Sequence, residues 1–362
     1  MMFKIKFNCG VTIDSRFVPC DAQDRSGSRV CPAKPRPFAI GFIACALAIS
    51  FPVLADTPIN SHKNAAKYLL MIVMNGVRYN DAFGDKNHLY IDNIWSKLRP
   101  LGTICTNFKN RELTFPIPSQ MSLLTGIWHV FKNPLSETIP PAFPTLFEYW
   151  KSARKDNGNT CYFASNRATF KILACSKQKN FGASYAPVFE SSTQDDANEN
   201  AIYEKALPYI LDQHPAFIYL SLGSAGGGGT KNDLKADKCQ LPGQKDACGG
   251  AELLNLYYES IMQMDAIVYD LWDRIQKDAT YKDNTILLVL SSHGRHTDDF
   301  HSYGDKCQGC TQLYLLAVGP GIKKNFVSKK ERTLIDICRT VGTLCALPTP
   351  YAKGTVMKEL FD

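Results

Sequence analysis

Between positions 293 and 305 the chain gathers six side chains able to bind a cation or move a proton: His293, His296, Asp298, Asp299, His301 and Asp305. Imidazole nitrogens and carboxylate oxygens at this density suit a divalent cation such as zinc, or general-base work near neutral pH. Thr114, far upstream, offers an aliphatic hydroxyl. Such a group is hardly ionised near pH 7 and attacks only when a metal or an adjacent base favours its alkoxide. Asn75 can lend an amide oxygen to a cation. The plainer reading of Asp298, Asp299 and Asp305 is a solvated loop, and of His296 a surface imidazole, which leaves His293 and His301 as the better ligands. The plainer reading of Thr114 is a helix cap or turn hydroxyl, favoured by the nearby Pro116 and Pro118.

These residues need a scaffold, and the hydrophobic pattern supplies one. Tyr68 to Met74 is a continuous apolar run too short for a helix, as expected of a strand buried on both faces. Phe217 to Leu222, Thr285 to Leu290 and Leu313 to Val318 read the same way. Long helical patterns lie between them, above all Ala251 to Lys277. Alternating strand and helix predicts an α/β fold: one large domain with a mostly parallel central sheet and helices on both faces. Ligands of such sheets gather at the carboxyl ends of the strands. Asn75 follows the first run and His293 the third, while Thr114 precedes a short helical pattern from Ser119. The segment from Ser221 to Gly250, rich in Gly, Lys, Asp and Cys, reads as a surface loop. Its four consecutive glycines lack the Gly-Lys-Ser/Thr ending of a P-loop.

The apolar run Phe38 to Leu54, preceded by Lys34 and Arg36 and followed by Ala55, reads as a signal peptide cleaved after Ala55; the rival reading is an N-terminal membrane anchor, but the run is near the short limit for spanning and Pro52 breaks it. Residues 1–55 are thus a leader and 56–362 the folded domain, periplasmic or secreted, with no stable membrane span after cleavage. The leader holds seven Lys/Arg against three Asp, so +4 of the chain's +7 leaves with it and +3 remains. No feature of that balance suggests nucleic acid. Nine of the thirteen cysteines stay in the mature chain, in a compartment that permits disulfides. The closest pairs are Cys161 with Cys175, Cys239 with Cys248, Cys307 with Cys310 and Cys338 with Cys345, leaving Cys105 alone. A zinc ribbon needs two Cys-x-x-Cys hooks and only Cys307 to Cys310 has that spacing, so a disulfide-pinned loop is the expectation there.

Four ordered segments carry a family resemblance. They are Met74-Asn75-Gly76-Val77-Arg78; Thr114-Phe115-Pro116 through Leu124-Thr125-Gly126; Asp283-Asn284-Thr285 with Ser291-Ser292-His293-Gly294; and His301 to Asp305 with Val318-Gly319-Pro320-Gly321 and Asp336 to Gly354. Together they resemble the alkaline phosphatase superfamily, which includes the sulfatases, the nucleotide pyrophosphatase/phosphodiesterases and the lipoteichoic acid synthases.

The resemblance implies a hydrolase of phosphate or sulfate esters with Thr114 as nucleophile and a divalent metal, zinc first, held by Asn75, Thr114, His293 and His301. In active relatives one cation deprotonates the hydroxyl and a second stabilises the leaving oxygen. Several ligands differ here: Asn75 and Ser292 stand where the family has Asp, and Ser221 to Gly229 offers neither carboxylate nor imidazole. The segment Thr114 to Gln120 also lacks the Cys/Ser-x-Pro-x-Arg motif of true sulfatases. Two readings follow: a hydrolase with a degenerate two-metal site and weak or altered activity, or a non-catalytic descendant that binds a ligand or a protein.

Overall fold

The computed structural model describes residues 65–361, except 130–138, 155–157, 166–167, 193–198, 224–244 and 299–301; of residues 245–255 it describes the backbone alone. Residues 1–55, read from the sequence as a leader, together with His301 and Asp299, therefore lie outside the described residues.

The four apolar runs are strands: β1 (Tyr68–Met74), β5 (Phe217–Leu222), β6 (Thr285–Leu290) and β7 (Gln312–Val318). Every residue of the first three is buried, as a strand covered on both faces requires. The pattern did not reveal β2 (Gly102–Lys109), β3 (Thr160–Ala164), β4 (Val188–Ser191), β8 (Phe326–Ser328) or β9 (Arg332–Thr333). The nine strands form one sheet in the order β4-β3-β5-β1-β6-β7-β2-β8, with β9 also paired to β2. Only β7 opposes the common direction, being antiparallel to both β6 and β2.

Helices α1 (Pro116–Thr125), α2 (Leu146–Ala153), α3 (Glu199–Gln213), α4 (Lys245–Lys277), α5 (Gln308–Thr311) and α6 (Asp336–Leu344) complete the described elements of more than one turn of α-helix. Adjacent residues of β3 show that they cover both faces. Tyr162 stacks on Phe147 of α2, with ring centroids 5.6 Å apart, while Phe163 turns the other way to Tyr209 of α3 at 5.8 Å. Helix α4 starts at Lys245, so the end of the expected surface loop is helical instead. Each residue added to an existing helix gains a hydrogen bond without a new nucleus, which offsets the cost of Gly249 and Gly250. No described helix is long and apolar enough to cross a membrane.

The seven cysteines whose side chains are described are free thiols, so the expected local bridges Cys161–Cys175, Cys307–Cys310 and Cys338–Cys345 are not formed. For the last pair the reason is helical rise. Cys338 lies within α6 and Cys345 closes it, seven residues on, an axial separation of about 10 Å where a disulfide tolerates about 7 Å between Cα atoms. Cys239 and the Cys248 side chain lie outside the described residues.

Helix α2 is anchored by a buried carboxylate. Glu148 accepts hydrogen bonds from the amides of Thr145 (2.7 Å), Ser176 (3.1 Å) and Gly182 (2.7 Å), and from the Ser176 hydroxyl (2.9 Å). Glu148→Ala strands those donors and is expected to cost about 3 kcal/mol or more; urea unfolding measures it, and a loss below about 1 kcal/mol would contradict this role.

At the other end of α1, Thr125 donates to Met121 O (2.8 Å) and therefore accepts from His129 Nε2 (2.9 Å). Burial lowers the His129 pKa from 6.5 to about 4. Below pH 6.5 the unfolded chain takes up a proton that the folded chain refuses until about pH 4, so stability present above 6.5 is lost across that window. The slope of unfolding free energy against pH between 6.5 and 4 is expected to be shallower in His129→Gln than in the wild type; equal slopes would refute the assignment.

Candidate active site

Three neighbouring strands deliver the site. β5, β1 and β6 run parallel side by side, with Val73 opposite both Ser221 and Leu290. Asn75 and Ser292 therefore leave the sheet at the same end, beside Ser221. α1 then brings Gln120 against them. All ten residues of this helix are buried, so its polar Ser119, Gln120 and Ser122 must find partners inside the protein.

The Asn75 amide is the hub. Its Nδ2 donates to Leu222 O at 2.8 Å and to Ser221 Oγ at 2.9 Å. Its Oδ1 accepts from Gln120 Nε2 at 3.0 Å and from Ser292 Oγ at 2.7 Å. Because Leu222 O can only accept, the atom facing it must be the amide nitrogen, and the orientation of every other group follows. Ser292 spends its one hydrogen on Asn75 Oδ1, so it accepts from His293 Nδ1, 2.9 Å away. That fixes the neutral imidazole as the Nδ1–H tautomer and puts the basic lone pair on Nε2. Gln120 in turn donates to Ser221 Oγ (3.1 Å) and accepts from the Tyr219 hydroxyl (2.8 Å). Burial pushes the Tyr219 and Tyr162 phenols well above their ordinary value, so both remain neutral donors. Gly223 permits the close packing: a Cβ there would lie 2.5 Å from Asn75 Cβ.

Aromatic groups and one cation border this network. The Tyr303 ring lies edge-on to His293 at 5.1 Å and to Phe115 at 5.8 Å. Arg295, 3% exposed, lies between Tyr257 and Tyr303 and donates through Nε to Gly76 O at 3.1 Å.

Of the residues singled out in the sequence, Asn75 and His293 come together through Ser292. Thr114 is fully buried and its hydroxyl donates to the Asp305 carbonyl at 2.7 Å, an acceptor that cannot take its proton. It does not cap α1, whose N-cap is Phe115. His301 lies outside the described residues. Gln120, Ser221 and Tyr219 were missed by the sequence reading; the one available signal was a glutamine within an otherwise apolar or small-residue helix, PIPSQMSLLT.

The sulfatase family model matches residues 70–345, and the chain belongs to that family, within the alkaline phosphatase superfamily. Solved structures share the fold. The phosphonate monoester hydrolase of Silicibacter pomeroyi superposes with a TM-score of 0.57 at 13% identity, covering 82% of this chain and 76% of that one. The lipoteichoic acid synthase LtaP of Listeria monocytogenes gives 0.58 at 15%, covering 82% and 75%. The PsFucS1 sulfatase of Pseudoalteromonas sp. gives 0.54 at 11%, covering 82% and 72%. At the level of sequence alone, no curated protein matches the chain.

Superfamily members use divalent metal, and the described residues hydrogen-bonded to Asn75 do not fit one. Both atoms of its amide are already used twice, by a hydroxyl, a second amide, another hydroxyl and a carbonyl, all neutral. His293 turns one ring nitrogen into the same network. A cation would have to displace these bonds and gain no carboxylate from the groups that make them.

Gln120→Leu removes the bridge between Asn75, Ser221 and Tyr219 while keeping most of its volume, and is expected to cost about 2–4 kcal/mol. Thermal or urea unfolding reads this directly. A neutral substitution would mean that the network holds nothing together.

Proposed function

We propose that this sulfatase-family protein, periplasmic or secreted, takes phosphate- or sulfate-ester ligands at the carboxyl ends of β5, β1 and β6, and that its two-metal site is degenerate. Any hydrolysis it performs is slow and independent of the family's cations. The observation that carries this reading is the saturated Asn75 amide, which accepts from Ser292 and Gln120 and donates to Ser221 and Leu222.

In this reading His293 is the general base. Its Nδ1–H is held by Ser292, which orients Nε2 to take a proton from an attacking water, or from Thr114 once that hydroxyl leaves the Asp305 carbonyl. The chain of partners behind the imidazole ends on an amide, not a carboxylate, so the imidazolium formed during attack gains little stabilisation.

The test is turnover of aryl phosphomonoester, phosphodiester, phosphonate and sulfate substrates by the mature chain. His293→Ala is expected to lower any turnover by about 100-fold or more, the usual worth of a general base. Thr114→Ala separates the two nucleophiles, abolishing turnover only if Thr114 attacks. Rates that rise with added zinc, manganese or calcium, and lose that dependence in Asn75→Ala, would mean a working cation at the family site and would defeat the proposal.

A further inference from the structure

The segment that carries His293 away from the sheet turns back on itself before entering β7, and this turn brings together four metal-ligating atoms. His296 Nδ1 lies 2.9 Å from Asp305 Oδ2, 3.7 Å from Cys307 Sγ and 3.7 Å from Cys310 Sγ. All four ligand atoms fall within 4.8 Å of one another. Zinc bonds of about 2.3 Å to sulfur and 2.0–2.2 Å to nitrogen or oxygen place tetrahedral ligand atoms about 3.3–3.8 Å apart. The observed spacings bracket that shell, and small side-chain adjustments complete it.

Hydrogen bonding alone does not explain the convergence. One ring nitrogen carries at most one hydrogen, yet it faces a carboxylate and two sulfurs at once. The surrounding groups fix the ligands in place. The Cys307 amide donates to Asp305 Oδ1 at 2.9 Å, which turns Oδ2 towards the imidazole. Arg78 Nη1 donates to the carbonyls of His296 (3.2 Å) and Thr297 (3.1 Å). The loop closes through Gly294 N to Cys310 O at 2.9 Å and Gly309 N to Thr297 Oγ1 at 3.1 Å. Gly309 is needed for that closure, since a Cβ there would lie 2.3 Å from Arg295 O.

We propose that His296 Nδ1, Asp305 Oδ2, Cys307 Sγ and Cys310 Sγ bind one zinc ion in a closed, tetrahedral, structural site. Thiolate ligands select zinc over magnesium or calcium, and four protein ligands leave no open position for chemistry. Binding releases the protons of the two thiols to solvent. The ion clips the loop whose Asp305 carbonyl holds Thr114 and whose start carries His293, so it fixes both ends of the candidate active site. It shares no ligand with the Asn75 network, and the proposal stands whether or not the chain hydrolyses anything.

The test loads the full chain, purified under reducing conditions, with cobalt(II) as a spectroscopic stand-in and zinc for stability. About one cobalt per chain is expected, with a near-ultraviolet thiolate-to-cobalt charge-transfer band. The band should vanish in Cys307→Ser and Cys310→Ser, weaken or shift in His296→Gln, and persist in Asn75→Ala and His293→Ala. Zinc at 100-fold above its Kd should raise the Tm by about 5 °C. The wild-type spectrum decides the matter even if a serine variant fails to fold. Absence of the band at stoichiometric cobalt would overturn the proposal, as would its survival in both serine variants. So would an intact-mass deficit of two hydrogens mapping to a Cys307–Cys310 disulfide in a secreted chain that holds no zinc.

Discussion

Everything at the carboxyl end of the sheet depends on one saturated amide. Asn75 leaves β1 with two donors and two acceptor sites, and their partners come from three parts of the chain: Ser221 and Leu222 of β5, Gln120 of α1, and Ser292 in the turn after β6. A buried polar group is costly unless fully paired, and a fully paired network specifies one arrangement. The amide thus assembles this end of the sheet without a charge. The orientation of Ser292, the tautomer of His293 and the position of Gln120 all follow from the single fact that Leu222 O faces Nδ2.

The buried α1, β5 and β6, and β1 from Leu70 onward, lie within residues 70–345, the span matched by the sulfatase family model. Burial of apolar strands and helix faces sets them, and this does not require an ion. The site's chemistry rests on a few side chains, and Asn75 and Ser292 are an amide and a hydroxyl, neutral groups that satisfy one another.

The turn from His293 to Cys310 joins two kinds of order. At its start it is fixed to the sheet by Gly76 N donating to His293 O at 3.1 Å, and at its end by the Gly294–Cys310 backbone bond. Between them, Thr114 reaches across from the entrance of α1 to the Asp305 carbonyl. The Thr114 hydroxyl, offered by the sequence as a cap among other roles, does not cap α1 and ties two loops together. Cap and tie satisfy the same hydrogen-bonding need, and only the three-dimensional neighbour decides which one is used.

The sequence by itself determined the buried strands β1, β5, β6 and β7, the alternation with helices, and the positions of Asn75 and His293 at strand ends. These are local or periodic properties: an apolar run, a spacing, an identity at a motif position. It misjudged the cysteines, because proximity in sequence does not place Cys338 and Cys345 within bridging reach when a helix separates them by two turns. It also misjudged Gln120, Ser221 and Tyr219, whose meeting spans about a hundred positions between Gln120 and the end of β5. Hydrogen-bond networks between distant segments leave no periodic trace. Only the tertiary structure, by packing α1 against the ends of three strands, decided which polar groups would meet and therefore what the site could hold.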